Sequence, residues 1–68
     1  MFVSVVIPCY RSAGMLPALV ERLNKVMADA TTAYEIILVV DGSPDNTWEV
    51  ADSLAKRSGP VRAIRLAR

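Results

Sequence analysis

The chain has 68 residues, 53% of them hydrophobic, with eight basic and seven acidic side chains for a formal net charge of +1. That length allows one small domain, and that composition is too apolar for a disordered tail. A single cysteine excludes an internal disulfide, the absence of histidine excludes a Ser-His-Asp or Cys-His catalytic set, and the scattered charges offer no basic patch for nucleic acid.

The first predicted element is FVSVVIP, Phe2 to Pro8, a β-branched run closed by proline that reads as a strand. No basic residue precedes it, and it is too short for a signal-peptide core. No apolar run approaches the ~18 residues of a membrane span. The expected setting is therefore soluble, reducing and cytoplasmic. Cys9 to Gly14 is expected to be loop.

From Met15 the apolar residues fall at Met15, Leu16, Leu19, Val20, Leu23, Val26, Met27 and Ala30. That spacing predicts an amphipathic helix with Glu21, Arg22, Asn24, Lys25 and Asp29 on the solvent side. Pro17 fits only in its first turn, where a missing N–H costs nothing.

YEIILVV, Tyr34 to Val40, is a second strand, and DGSPDN leads from it into a second helix. The apolar positions there are Trp48, Val50, Ala51, Leu54 and Ala55. Ser43 suits the cap, Pro44 the first helical position and Asp45 the positive helix end. Lys56 and Arg57 suit the negative end, and Ser58-Gly59-Pro60 stops the helix. VRAIRLA, Val61 to Ala67, reads as a third strand.

The order β-α-β-α-β implies parallel strands joined by right-handed crossovers. With sequential strand order both helices land on one face of the sheet and leave the other bare. Yet Ile36 to Val40 is apolar on both alternating faces, the pattern of a strand covered on both sides. Residues 1–68 therefore read as an incomplete domain, the front half of a larger α/β unit. A homo-oligomer that buries the bare face is the alternative.

In a parallel sheet the strand C-termini share one edge, and ligands of open α/β sheets bind there. Pro8-Cys9-Tyr10, Asp41-Gly42-Ser43 and Ala67-Arg68 converge on it. Tyr10 offers a ring on which a nucleobase can stack. Ionised Asp41 is acceptor-only and suits a base N–H or a ribose hydroxyl. Gly42 permits close backbone approach. A P-loop and a G-x-G-x-x-G fingerprint are absent, as is any clustered metal-ligand set. Plainer roles compete at each position. Asp41 can satisfy the N–H groups of its own turn. Asp45 and Ser43 read mainly as caps, Trp48 as core, Cys9 as a small buried residue, and Arg68 as a solvated chain end.

VSVVIPCY, followed further along by EIILVVDGSPDNT, resembles the N-terminus of an inverting, family 2 glycosyltransferase with a GT-A fold. The resemblance covers essentially the whole chain and is closest to the branch of dolichyl- and polyprenyl-phosphate sugar transferases. It implies a Rossmann-like nucleotide-sugar-binding domain in which Pro8, Tyr10, Asp41 and Gly42 line the nucleotide pocket. Asp41 would hydrogen-bond the base. Val40 stands where many members carry a first aspartate, and Arg11 where asparagine is commonest. The resemblance further implies a UDP- or GDP-sugar donor, a sugar, lipid-phosphate or glycan acceptor, and a divalent metal, Mg or Mn, in the full-length enzyme. The Asp-x-Asp that holds that metal comes later in the family, as does the catalytic base, so no residue of this chain is assigned to either. The resemblance also places full-length members of this branch at the cytoplasmic face of the membrane. Two other readings stay open. One is a non-catalytic α/β binding module that dimerises. The other, disfavoured by the lack of a paired acidic cluster after the first strand, is a phospho-receiver-like domain.

Overall fold

Three β-branched runs form the strands β1 (Phe2–Cys9), β2 (Ala33–Asp41) and β3 (Val61–Leu66) in a computed structural model of the chain, which describes residues 2–30, 33–42 and 45–66. The helices α1 (Leu16–Ala30) and α2 (Thr47–Arg57) connect them in the order β-α-β-α-β. The strands are all parallel and lie in the order β1-β2-β3. This is the architecture expected from the sequence.

Register explains which face is covered. Val5, Ile36 and Val61 lie side by side across the sheet, and so do Ile7, Leu38 and Ala63. On that face Cys9, Ile36, Leu38, Val40 and Val61 are buried, in one cluster with Leu16 and Val20 of α1 and Ala51 of α2. Both helices therefore sit on the same side of the sheet. Burying a side chain such as Leu38 contributes about 1.5–3 kcal/mol. The opposite face carries Phe2, Val6, Ile64 and Leu66, all exposed, with Val6 at 61%. A polar link crosses all three strands there. Ser4 Oγ donates to Glu35 Oε2 at 2.6 Å, and Arg62 Nε lies 3.7 Å from Glu35 Oε1. The bare face argued from strand order is thus present among the described residues.

Several local expectations are corrected. Proline does not end the first strand: Pro8 pairs with Val39, and β1 runs on to Cys9. β1 is an edge strand, where a residue without an N–H is tolerated. The second helix runs from Thr47, with Asn46 at the N-cap position. Asn46 makes no side-chain cap bond; Asp45 Oδ1 accepts the Thr47 N–H at 3.1 Å in its place. Ser43 and Pro44 lie outside the described residues, as do Ala67 and Arg68.

Helix α1 is also less symmetrical than its apolar spacing. Pro17 does lie in its first turn. Leu16 and Val20 are buried and Leu23 packs on the core, but Met15 and Val26 are exposed. Asn24, expected on the solvent side, turns inward. Its Oδ1 accepts Tyr34 Oη–H at 2.8 Å, and its Nδ2 donates to Ser58 Oγ at 3.3 Å. The reason is crowding of both helices onto a narrow sheet, which brings the middle of α1 over the start of β2 and the end of α2. Ser58 closes α2 in an extended conformation, its N–H bonded to Leu54 O.

Candidate functional site

All three parallel strands point their C-terminal ends at one edge, and a cleft of about 480 Å³ opens there. It is lined by Pro8, Cys9, Tyr10, Asp41 and Gly42. The structure thus brings the four residues singled out from the sequence to one place. β1 supplies Pro8 and Cys9, the following loop supplies Tyr10, and β2 and its loop supply Asp41 and Gly42. Cys9 pairs with Val40 across the two strands, so the two chain segments leave the sheet together.

Each side chain has a local reason for its place. Tyr10 is 57% exposed, so its ring is offered to the surface and not spent on packing. The Arg11 guanidinium lies 5.5 Å from the centroid of that ring, within cation–π range. Asp41 closes β2, half-buried and in register with Leu66. Gly42 has φ 56, a left-handed conformation that glycine adopts without steric cost and that turns the chain sharply after the strand. Arg11 shares that region at φ 51, where a residue with a Cβ is uncommon. Cys9 reaches the cleft wall, but its side chain is buried and its Sγ–H donates to Ile7 O at 3.4 Å. Burial pushes the Cys9 thiol up from its ordinary pKa, so it is a poor nucleophile.

Sequence reasoning missed the residues that hold the two loops together. The Ser12 N–H donates to Thr47 Oγ1 at 3.0 Å, and Thr47 Oγ1–H donates to Asp45 Oδ1. Ser12 Oγ accepts the Tyr10 N–H at 3.2 Å and donates to Tyr10 O at 2.9 Å. Thr47 is 0% exposed. The available signal was a threonine at the head of a helix just after an Asp-Asn pair, a place where a hydroxyl competes for backbone N–H groups.

At the far end of the edge, Arg65 of β3 lies 5.5 Å from the Trp48 ring of α2. Trp48 is half-buried against the core, as expected from its helical spacing. Among the described residues no three His, Cys, Asp or Glu side chains cluster as metal ligands. The divalent metal implied by the family resemblance therefore finds no donor set among these residues. No described helix is long and apolar enough to cross a membrane.

Comparison with known proteins gives a consistent picture. The family model described as Glycosyl transferase family 2 matches residues 4–68. An undecaprenyl-phosphate 4-deoxy-4-formamido-L-arabinose transferase of Serratia proteamaculans (strain 568) is 47% identical over 67 residues, which is 97% of this chain and 21% of that protein. Proteins of the same name from Yersinia pestis (strain Pestoides F) and Yersinia pseudotuberculosis serotype O:3 (strain YPIII) are each 49% identical over 53 residues, 78% of this chain and 16% of theirs. The chain thus spans about a fifth of the Serratia relative's length and less of the two Yersinia ones.

Proposed function

The chain belongs to glycosyl transferase family 2, and from that premise we propose that it forms the nucleotide-binding half-site of an inverting sugar transferase with a nucleotide-sugar donor. The observation that carries this reading is the convergence of Pro8, Tyr10, Asp41 and Gly42 on one cleft at the C-terminal edge of a parallel sheet. Ligands of open α/β sheets bind at that edge.

The residues divide the task. The exposed Tyr10 ring stacks on the base, and Asp41 accepts a base N–H or a ribose hydroxyl. Gly42, with no Cβ, lets the nucleotide approach the backbone at the end of β2. Pro8 gives the cleft a rigid apolar wall. The donor base is uracil or guanine, both of which present an N–H to a carboxylate. The name of the Serratia relative supports a polyprenyl phosphate as acceptor, and the cytoplasmic face of the membrane is proposed as the place of reaction.

In the transfer itself an oxygen of the acceptor phosphate bonds to the anomeric carbon of the sugar. The bond from that carbon to the nucleoside diphosphate breaks, and the diphosphate leaves with the electron pair. An ionised phosphate oxygen needs no base to deprotonate it. The contribution of this chain is to hold the leaving nucleotide, and the residues that stabilise the transferring sugar belong to the segments that the longer relatives carry beyond the matched region. The 68 residues alone are proposed to bind the nucleotide and to transfer nothing.

The test is calorimetric titration of the full-length protein with UDP, GDP and inorganic pyrophosphate. One nucleotide should bind well and pyrophosphate weakly, since the base carries the contacts named above. Equal binding of pyrophosphate and both nucleotides would reject a base-reading cleft. The bare sheet face favours a second reading, a binding module that self-associates through Phe2, Val6, Ile64 and Leu66. Sedimentation of the full-length protein and its Val6→Lys variant separates the two, because that reading requires a dimer through this face that the added charge breaks.

A further inference from the structure

The two walls of the cleft come from segments far apart in sequence, and one buried hydroxyl links them. Thr47 Oγ1 accepts the Ser12 N–H at 3.0 Å while donating to Asp45 Oδ1. Asp45 Oδ1 also accepts the Thr47 N–H at 3.1 Å. On one side, Ser12 Oγ is bonded to both the N–H and the C=O of Tyr10. On the other, Asp45 belongs to the loop that leaves β2 at Asp41.

We propose that Thr47 is a positioning residue of the nucleotide cleft: its hydroxyl holds the loop that carries Tyr10 to Asp45 and the head of α2, and so sets the Tyr10 wall of the cleft. This rests on the reading of the cleft as a nucleotide site. Thr47 never touches the ligand in this scheme, since it is 0% exposed. It acts through Ser12 on Tyr10.

Two observations separate positioning from plain support of the fold. Helix α2 is already anchored by Ala51, fully buried in the core, and by Trp48, Val50 and Leu54 packed around it. Loss of one hydroxyl at its first residue leaves those contacts in place. The loop after β1 is held by polar bonds centred on Ser12: Ser12 O accepts the Met15 and Leu16 N–H groups, Ser12 Oγ is bonded to Tyr10, and the Ser12 N–H is bonded to Thr47. Of these, the bond to Thr47 is the one that reaches across to α2. A ligand gripped from two sides gains affinity when both sides are set before it arrives, because ordering them on binding costs free energy.

The experiment compares Thr47→Val, which keeps the shape and removes the hydroxyl, with Thr47→Ser, which keeps the hydroxyl, in the full-length protein. Calorimetric titration with UDP and GDP is expected to show binding weakened about tenfold or more in Thr47→Val and restored to within about twofold in Thr47→Ser. In a Tyr10→Ala background, Thr47→Val is expected to add little, because the two act in series. Hydrogen exchange at residues 10–12 reads the loop without any ligand and is expected to speed up in Thr47→Val while that of α2 holds. Wild-type affinity in a folded Thr47→Val protein overturns the proposal, as does a full additive loss on top of Tyr10→Ala. Should the wild type bind neither nucleotide, the functional reading falls, and unchanged exchange at residues 10–12 then overturns the positioning role separately. Thr47→Ala replaces Thr47→Val in every arm if the valine variant does not fold.

Discussion

Tyr34 Oη donates a 2.8 Å hydrogen bond to Asn24 Oδ1, tying the start of the central strand to the middle of the first helix. Asn24 passes the link on, donating from Nδ2 to Ser58 Oγ at the end of α2. One half-buried amide thereby joins three elements at the end of the sheet opposite the cleft. Asn24→Leu is expected to lower stability by about 1 kcal/mol, because two hydroxyls lose a partner in a site with partial access to water. Urea unfolding should show a lower midpoint at unchanged slope. Adding Tyr34→Phe should recover part of the loss, and a variant as stable as the wild type would contradict the role.

The uncovered face makes a different kind of prediction. Val6 is 61% exposed and sits beside Ile37 on the side of the sheet that no described helix covers. In the 68-residue chain, Val6→Lys should change stability by no more than about 0.5 kcal/mol, as an exposed position allows. It should also reduce self-association in sedimentation and the binding of an apolar dye, since a charge breaks a contiguous apolar surface. Loss of folding on this substitution would show that the face is covered after all.

Cys9 gives a pH dependence. Its side chain is 1% exposed, and burial holds the thiol above its ordinary pKa. The folded state therefore keeps its proton at pH values where the unfolded thiol has lost it. The associated stability is fully present below the unfolded thiol pKa and is lost as pH rises through the folded one. Urea midpoints should fall between pH 7 and pH 10 by more in the wild type than in Cys9→Ala. Labelling by a thiol reagent at pH 8 should be slow against a free thiol. Fast labelling of the folded protein would contradict the burial.

The elements and their order could be read directly because they rest on periodicity. Ile36 to Val40 is apolar throughout and β-branched at every position but Leu38, and Leu16, Val20 and Leu23 recur at helical spacing. The bare face followed from the topology of sequential parallel strands. The gathering of Pro8, Tyr10, Asp41 and Gly42 followed from the same topology, since residues ending parallel strands must meet at one edge. What could not be read was local polar pairing. DGSPDNT offers several residues able to cap a helix, and the chain starts α2 at the last of them, Thr47, with its hydroxyl turned to a loop that is distant in sequence. Asn24 looked solvated because it is polar and falls outside the apolar positions of α1, in a stretch with Glu21, Arg22 and Lys25; only the position of Tyr34 under the helix shows otherwise. The preference for asparagine at the position of Arg11, implied by the family resemblance, gains a backbone reason in the left-handed φ of 51° found there.

The central claim is that Asp41 reads a nucleotide at the end of β2. The most direct measurement is calorimetric titration of UDP and GDP into the full-length wild type and Asp41→Ala, with thermal unfolding recorded on both. Removing a charge-assisted hydrogen bond of about 1.5–3 kcal/mol should weaken the preferred nucleotide by roughly ten- to a hundredfold while the protein stays folded. Equal affinity in the two folded proteins would contradict the claim and leave Asp41 as a turn residue.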